Sequence, residues 1–222
     1  MKKMIIFISI FVMLFGSCIY LTKGQTETSV SPRISKTIVL DAGHGGIDVG
    51  AVGKNGTLES DLNLQYCQTL KTMFEDYGAN VIMTRENADG LYSEFKSGFK
   101  MEDMRKRREI IQNSNADLVI SIHMNKFAVS SSRGAQVFYD DVNQSGKKLA
   151  ETLQKIFINE LPSARKEAKC ADLYVLKSTS VPAILIECGF LSNPDEEVLL
   201  TQEKYRKDLC SCIVAGVFAT IY

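Results

Sequence analysis

Short apolar runs alternate with segments of helical periodicity along most of the chain. The runs are rich in β-branched residues, which predicts strands at Thr37–Leu40, Asn80–Thr84, Asp117–His123, Gly134–Tyr139, Ala171–Leu176 and Pro182–Glu187. Apolar residues at helical spacing predict helices at Glu59–Tyr77, Glu102–Asn113, Gly146–Leu161 and Gln202–Ile221. The polar, glycine-containing segment Asn87–Lys100 is predicted to be a surface loop.

This order of elements predicts the fold class. Strands that alternate with amphipathic helices, several of them unbroken apolar runs, are typical of an α/β domain. We therefore expect a single domain built on a largely parallel or mixed sheet, with helices on both faces. The chain has 222 residues, which fits one such domain preceded by a short N-terminal region.

The first residues have the organisation of an export signal or a membrane anchor. Lys2 and Lys3 precede the uncharged run Met4–Thr22, whose about 19 residues would span roughly 28 Å as a helix. The run has no polar face, which is unlike a helix buried in a globular domain. Cys18 lies in a sequence that loosely resembles a bacterial lipoprotein box, so lipidation there is a second possibility.

These features predict three regions with different roles. Residues 1–23 are expected to be a signal or membrane anchor, and residues 24–35, rich in Ser and Thr, a linker. Residues 36–222 form the folded domain. The anchor places that domain outside the cytoplasm.

Composition narrows the classes of function. Lys plus Arg and Asp plus Glu each total 26, so the formal charge is zero, and nucleic acid is not an expected partner. With 45% hydrophobic and 23% charged residues, the chain is neither disordered nor a multi-span membrane protein. Five cysteines follow the N-terminal region, at positions 67, 170, 188, 210 and 212, and we expect buried thiols rather than structural disulfides.

Candidate chemistry lies where predicted strands end. The chain has only two histidines: His44 follows the first strand and His123 ends another. Glu187 ends a third strand, and Glu59 opens a helix after a glycine-rich loop. Because ligands in open α/β sheets bind beyond the carboxyl ends of the strands, these four side chains are expected at one edge. Two imidazoles and a carboxylate can hold Zn²⁺ with a position left for water, and a further carboxylate can move the proton.

Each of these residues also has a purely structural interpretation. A histidine at a strand end can serve packing, Glu59 can be a helix-start acid favoured by the helix dipole, and Glu187 can be an ion-paired carboxylate. The glycine loop fits neither the dinucleotide-binding nor the Walker pattern. A thiol nucleophile, Cys188 with His123, is disfavoured because an adjacent acid does not lower a thiol pKa.

Five ordered motifs resemble a known family. They are "LDAGHGGIDVGA" (40–51), Glu59 in "LESDLNL", "MTR" (83–85), "ADLVISIHMN" (116–125) and "VPAILIECGFLSNPDE" (181–196). Together they are similar to the motifs of zinc-dependent N-acetylmuramoyl-L-alanine amidases of the amidase type 3 family. The resemblance implies a mixed, roughly six-stranded sheet and hydrolysis of the amide between the lactyl group of N-acetylmuramic acid and L-alanine in peptidoglycan. It also implies Zn²⁺ held by His44, Glu59 and His123, with Glu187 as the catalytic glutamate.

The same resemblance suggests a subfamily and a setting. A catalytic domain behind one apolar segment, without wall-binding repeats, is most similar to the germination-specific amidases that help convert spore-cortex muramic acid to its δ-lactam. The protein would then act at the extracytoplasmic face of the membrane, in the wall or in the forespore intermembrane space, and a regulatory partner protein is possible. Two alternatives stay open: a catalytically idle wall-binding or regulatory module, and a zinc peptidase acting on the stem peptide.

Three further residues are candidates for supporting roles. Asp48 and Asn125 are expected to orient the site or contact substrate, although Asp48 could also cap a turn and Asn125 could simply end a strand. Arg85 is expected to pair with a structural carboxylate.

Overall fold

The computed structural model of the protein describes residues 36–221. Its strands are β1 (Thr37–Ala42), β2 (Asn80–Met83), β3 (Leu118–Asn125), β4 (Gln136–Tyr139), β5 (Lys169–Cys170) and β6 (Ala183–Phe190). Its helices are α1 (Glu59–Asp76), α2 (Phe99–Asn113), α3 (Gln144–Glu160), α4 (Pro194–Thr201) and α5 (Glu203–Ile221), with a 3₁₀ turn at Leu176–Ser178.

The strands form one six-stranded mixed sheet in the order β2-β1-β3-β6-β4-β5. Neighbouring strands are parallel except β4 and β6, which run antiparallel. The strands β1, β3, β6 and β4 are therefore each paired on both sides, and β1, β3 and β6 are consecutive in the sheet. The prediction of an α/β domain on a mixed sheet is confirmed.

Both faces of the sheet are covered, as predicted. The helices α1, α3 and α5 pack together over one face and bury the larger core, which includes Leu40, Ile120 and Phe157. Helix α2 and the 3₁₀ turn cover the other face, where Val39, Val119, Ile111 and Leu176 form a smaller cluster. Strands β1, β3 and β6 are buried on both sides, which explains why their sequences are continuous apolar runs.

The structure corrects several predicted element boundaries. The strand predicted at Ala171–Leu176 is wrong: β5 has only two residues, and the apolar residues after it enter the 3₁₀ turn. Helix α2 starts at Phe99, inside the segment predicted to be a loop. Helix α4 was not predicted, although Asn193 caps it and a proline occupies its first turn, both ordinary helix-start signals.

The predicted signal or anchor at 1–23 and linker at 24–35 lie outside the described residues. Among residues 36–221, no helix is both long enough and apolar enough to cross a membrane.

The five cysteines after the N-terminal region are free thiols in the structure. Four are buried, as expected of small packing residues, and Cys170 is exposed. Reductant is therefore expected to leave the melting temperature of the purified domain unchanged, because no crosslink constrains its unfolded chain. Thermal unfolding with and without dithiothreitol tests this, and a drop of several degrees on reduction would contradict it.

A buried charge network joins β1 to α2. Arg107 donates to Asp41 at 2.7 Å and to Asp103 at 2.6 Å. Ser121 and Thr84 also donate to Asp41. Burial alone would raise the pKa of Asp41, but the Arg107 guanidinium and the hydrogen bond from Ser121 lower it to about 2.

This lowered pKa predicts acid-sensitive stability. In the folded protein Asp41 takes up a proton only near its lowered pKa of about 2, whereas in the unfolded chain it takes up a proton near pH 3.8. Its stabilising contribution is complete above pH 5 and is lost as the pH falls toward 2. When the pH is lowered from 6 to 3, the wild type is expected to lose about 1 kcal/mol more of its free energy of unfolding than Asp41→Asn does, because asparagine has no carboxylate to protonate. Urea unfolding at both pH values measures this, and equal losses would contradict it.

Candidate metal centre

Four elements bring the candidate side chains to one cleft. Strand β1 ends at Ala42, and the glycine loop that follows carries His44 in a left-handed conformation with φ of 60°. Glu59 is the first residue of α1. His123 lies on β3 and Glu187 on β6, and these two residues are partners in the strand register. The expected meeting of both histidines and both glutamates at one edge of the sheet is found.

Glu59 lies at the centre of the cluster. Its Oε1 atom is 3.2 Å from His44 Nε2 and 2.9 Å from His123 Nδ1, and it accepts a hydrogen bond from the Met124 amide. The Ala51 amide donates to Oε2 at 2.7 Å. One ligand atom from each of His44, Glu59 and His123 lies within 4.8 Å of the others, so these three residues could hold a metal ion.

The charged side chains of the cluster shift one another's pKa values. Burial alone would raise the pKa of Glu59, but hydrogen bonds from His123 and His44 hold it well below its usual range. Burial alone would lower the pKa of His44, but Glu59 and Asp48 raise it to about 8. Glu59 is therefore an ionised carboxylate, the form in which it can ligate a cation.

Asp48 lies beside the His44 ring. Its Oδ2 is 3.0 Å from His44 Nδ1, and this contact turns the other ring nitrogen, Nε2, toward Glu59. Lys100 binds the other oxygen of Asp48 at 2.8 Å. Asp48 thus contacts His44, and its role in orienting the site stays a prediction.

Two glycines permit the close packing of this cleft. A Cβ atom at Gly43 would collide with the imidazole ring of His123. At Gly50, where φ is 68°, a Cβ would lie 2.5 Å from Glu59 Oε2 and 2.7 Å from His44 Cδ2. Any larger residue at either position would displace a side chain of the cluster.

Glu187 borders the cleft without joining the three-residue cluster. It lines the same cleft as His44, Glu59 and His123. Its Oε2 atom is buried and has no hydrogen-bond partner among the described residues. Burial raises the pKa of its carboxyl to about 7, a range in which a group can both accept and release a proton.

The remaining candidates have different outcomes. Asn125 lines the cleft, where its side-chain oxygen accepts from the Lys126 amide at 2.8 Å. The expectation that Arg85 pairs with a carboxylate is wrong, because all its hydrogen bonds go to backbone carbonyls. Cys188 is fully buried, and burial raises the pKa of its thiol well above the usual value, which opposes a nucleophilic role.

Two lysines line the cleft, and sequence reasoning missed one of them. Lys126, just after β3, is recognisable from the sequence as a departure from the small residues that often flank this Asn in the family. Lys100, at the start of α2, was missed, because nothing in the local sequence distinguishes it from other surface lysines. Only the tertiary structure brings Lys100 beside the histidines.

Known proteins are similar to this chain over most of its length. The germination-specific N-acetylmuramoyl-L-alanine amidase of Bacillus subtilis is 38% identical over 190 residues, which cover 84% of this chain and 80% of that protein. The solved structure of the CwlD amidase from Clostridioides difficile, in complex with the GerS lipoprotein, is 40% identical with a TM-score of 0.80. That match covers 84% of this chain and 98% of the solved one.

A second solved structure, the N-acetylmuramoyl-L-alanine amidase from Clostridium difficile 630, is 31% identical with a TM-score of 0.75. It matches over 84% of this chain and 97% of its own. The family model described as N-acetylmuramoyl-L-alanine amidase matches residues 38–219, nearly the whole described domain. The predicted family resemblance is confirmed, and the chain belongs to the N-acetylmuramoyl-L-alanine amidase family.

Proposed function

We propose that the protein hydrolyses the amide between the lactyl group of N-acetylmuramic acid and L-alanine in peptidoglycan, using Zn²⁺ held by His44, Glu59 and His123. The observation that carries this proposal is the convergence of these three side chains beside Glu187, whose buried Oε2 atom has no hydrogen-bond partner within residues 36–221. Two imidazole nitrogens and one carboxylate oxygen are a donor set of catalytic zinc sites. The ionised state of Glu59 also suits a cation.

Each residue of the cleft has a different role in the hydrolysis. Bound Zn²⁺ would supply Lewis-acid polarisation of the amide carbonyl and of the attacking water. Glu187 takes a proton from that water as the new C–O bond forms, and delivers it to the amine nitrogen as the C–N bond breaks. Asp48 keeps His44 Nε2 turned toward the ion. Asn125, on the cleft wall, contacts the substrate.

Product analysis tests the reaction. Purified peptidoglycan is digested with the zinc-loaded protein, and the products are separated and weighed by mass spectrometry. An amidase leaves intact muramic acid on the glycan and a stem peptide with a free L-alanine amine. Cuts within the stem peptide would show a peptidase instead, and no product from a zinc-loaded, folded protein would show an idle binding module.

The proposal includes a role in the spore cortex, supported by the similarity to the germination-specific amidase. A Bacillus subtilis strain that lacks this amidase should regain muramic-δ-lactam in its spore peptidoglycan when it expresses the protein. Absence of the lactam from a strain in which the expressed protein still cleaves purified wall would instead favour a role in the vegetative wall.

The N-terminal region and a partner protein would set where and when the protein acts. Residues 1–23 would serve as a signal or anchor and 24–35 as a linker, which together place domain 36–222 on the extracytoplasmic side, where peptidoglycan lies. A regulatory protein partner is supported by the solved complex of the CwlD amidase with a lipoprotein. Fractionation of tagged protein and size-exclusion chromatography of membrane extracts test both points.

The proposed role of Asp48 leads to a measurable change in metal affinity. Asp48→Ala removes the acceptor that fixes the His44 ring, so the zinc dissociation constant is expected to rise about 10- to 100-fold. Competition with a chromophoric chelator measures it. Lys100→Ala is the matched control, because it breaks only the exposed ion pair with Asp48 and should change the constant little. Equal constants for Asp48→Ala and the wild type would contradict this role.

A further inference from the structure

Arg85 is a buried cation with unusual partners. It is 4% exposed, and no carboxylate among residues 36–221 forms an ion pair with it. It donates instead to four backbone carbonyls: Ala42 at 2.9 Å, Asn87 at 2.8 Å, Gly43 at 3.1 Å and Ser60 at 2.7 Å. A buried charge is costly unless it is well hydrogen-bonded, so this arrangement needs a reason.

The positions of these carbonyls suggest that reason. Ala42 and Gly43 are the two residues that lead into His44, and Ser60 directly follows Glu59. A single nitrogen, Arg85 Nη2, donates to both the Gly43 and the Ser60 carbonyls. Arg85 therefore ties the glycine loop to the start of α1, the two segments that carry two of the three candidate metal ligands.

The glycine loop keeps a backbone hydrogen bond to β3 at its start, from the Gly43 amide to the Ile122 carbonyl, and side chains bind the carbonyls that follow β1. His44 has a left-handed backbone, a conformation that a non-glycine residue keeps only when its surroundings enforce it. Asn63 Nδ2 makes a second bond to the Gly43 carbonyl at 3.1 Å, and Arg107 donates to the His44 carbonyl at 2.5 Å. Side chains thus donate hydrogen bonds to the carbonyls of three successive residues, Ala42 to His44, where β1 passes into the loop.

We propose that Arg85 is a positioning residue that sets the separation between His44 and Glu59, and through it the affinity of the site for metal. The inference rests on the metal site of the proposed function. A planar guanidinium suits the task because its five N–H groups can reach carbonyls on several sides at once. Lysine keeps the charge but has a single nitrogen, which cannot bridge all four carbonyls.

The test compares Arg85→Lys with a matched control, Arg206→Lys. Arg206 also contacts α1, but through the side chains of Thr69 and Gln65, away from the ligands. The zinc dissociation constant is measured by chelator competition. Arg85→Lys is expected to raise it about 10- to 100-fold, as loss of an outer contact of a metal ligand typically does. Arg206→Lys is expected to change it less than twofold.

A second readout separates positioning from general stability. Phe157→Leu removes volume from the larger core on α3, a helix that carries none of the candidate ligands, so it serves as a destabilised control. The visible absorption of the Co²⁺-loaded protein, which reports ligand geometry, should change in Arg85→Lys. The Co²⁺ spectra of Phe157→Leu and Arg206→Lys should be the same as that of the wild type.

The outcomes distinguish this inference from the proposed function. If the wild type binds no zinc, the metal site itself is wrong. If the wild type binds zinc and a folded Arg85→Lys binds it equally well with an unchanged Co²⁺ spectrum, the positioning role is wrong. If Arg85→Lys does not fold, Arg85→Gln, which buries no charge, is measured instead. Failure of both variants to fold would also overturn the proposal, because Arg85 would then serve the whole fold.

Discussion

His123→Ala is expected to lose bound metal and amidase activity together. The variant removes one of three proposed protein ligands, so the loss in metal affinity should exceed the 10- to 100-fold typical of an outer contact. His44→Ala and Glu59→Ala should behave alike. Metal analysis of the purified variants after gel filtration, together with release of L-alanine amines from peptidoglycan, measures both properties.

The comparison needs a control that is equally close to the cleft. Lys126→Ala changes a side chain on the cleft wall that is no proposed ligand, and its metal content should equal that of the wild type. A histidine variant that retains stoichiometric zinc at wild-type affinity would show that this histidine is not a ligand. The same result for Glu59→Ala would leave Glu59 as a helix-start acid.

Glu187→Gln should keep the fold and the metal but lose nearly all turnover. Glutamine preserves the shape and hydrogen-bonding capacity of the side chain, but it cannot take up the proton. A general acid or base contributes roughly a hundredfold to ten-thousandfold to the rate, which sets the size of the expected decrease in kcat. Turnover on a soluble muropeptide and zinc content of the same preparation provide the two measurements.

Either of two results would reject this role. Loss of zinc from Glu187→Gln would make Glu187 a ligand and would require another role for Glu59. Near-wild-type turnover with zinc bound would mean that another group moves the proton. Asn125→Ala is a useful comparison, because a substrate contact is expected to raise KM and to leave the metal content unchanged.

Most of the fold could be predicted because its interior strands are continuous apolar runs. Strands β1, β3 and β6 are buried on both faces, so their sequences need no alternation and are easy to recognise. The positions of His44, His123 and Glu187 just beyond or near the ends of these runs then indicated a shared site. Their meeting follows from the parallel course of the three strands, which brings their carboxyl ends to one edge.

The wrong predictions concern residues whose tertiary contacts differ from what their local sequence pattern indicates. Val175 and Leu176 look like strand residues, but they fill the smaller core from a 3₁₀ turn and not from the sheet. Arg85 was expected to pair with a carboxylate, but it is buried among backbone carbonyls. Its carbonyl partners come from three separate segments, and no local pattern reveals such an arrangement.

The order of the strands has a consequence for how the protein loses activity on heating. Local openings of a native protein begin at frayed edges and loops, whereas interior strands exchange their amide hydrogens only in openings close to global unfolding. His123 and Glu187 lie on neighbouring interior strands, while the two-residue β5 is at the sheet edge. Melting of that edge therefore leaves these two groups in register, and their alignment persists until the domain unfolds as a whole.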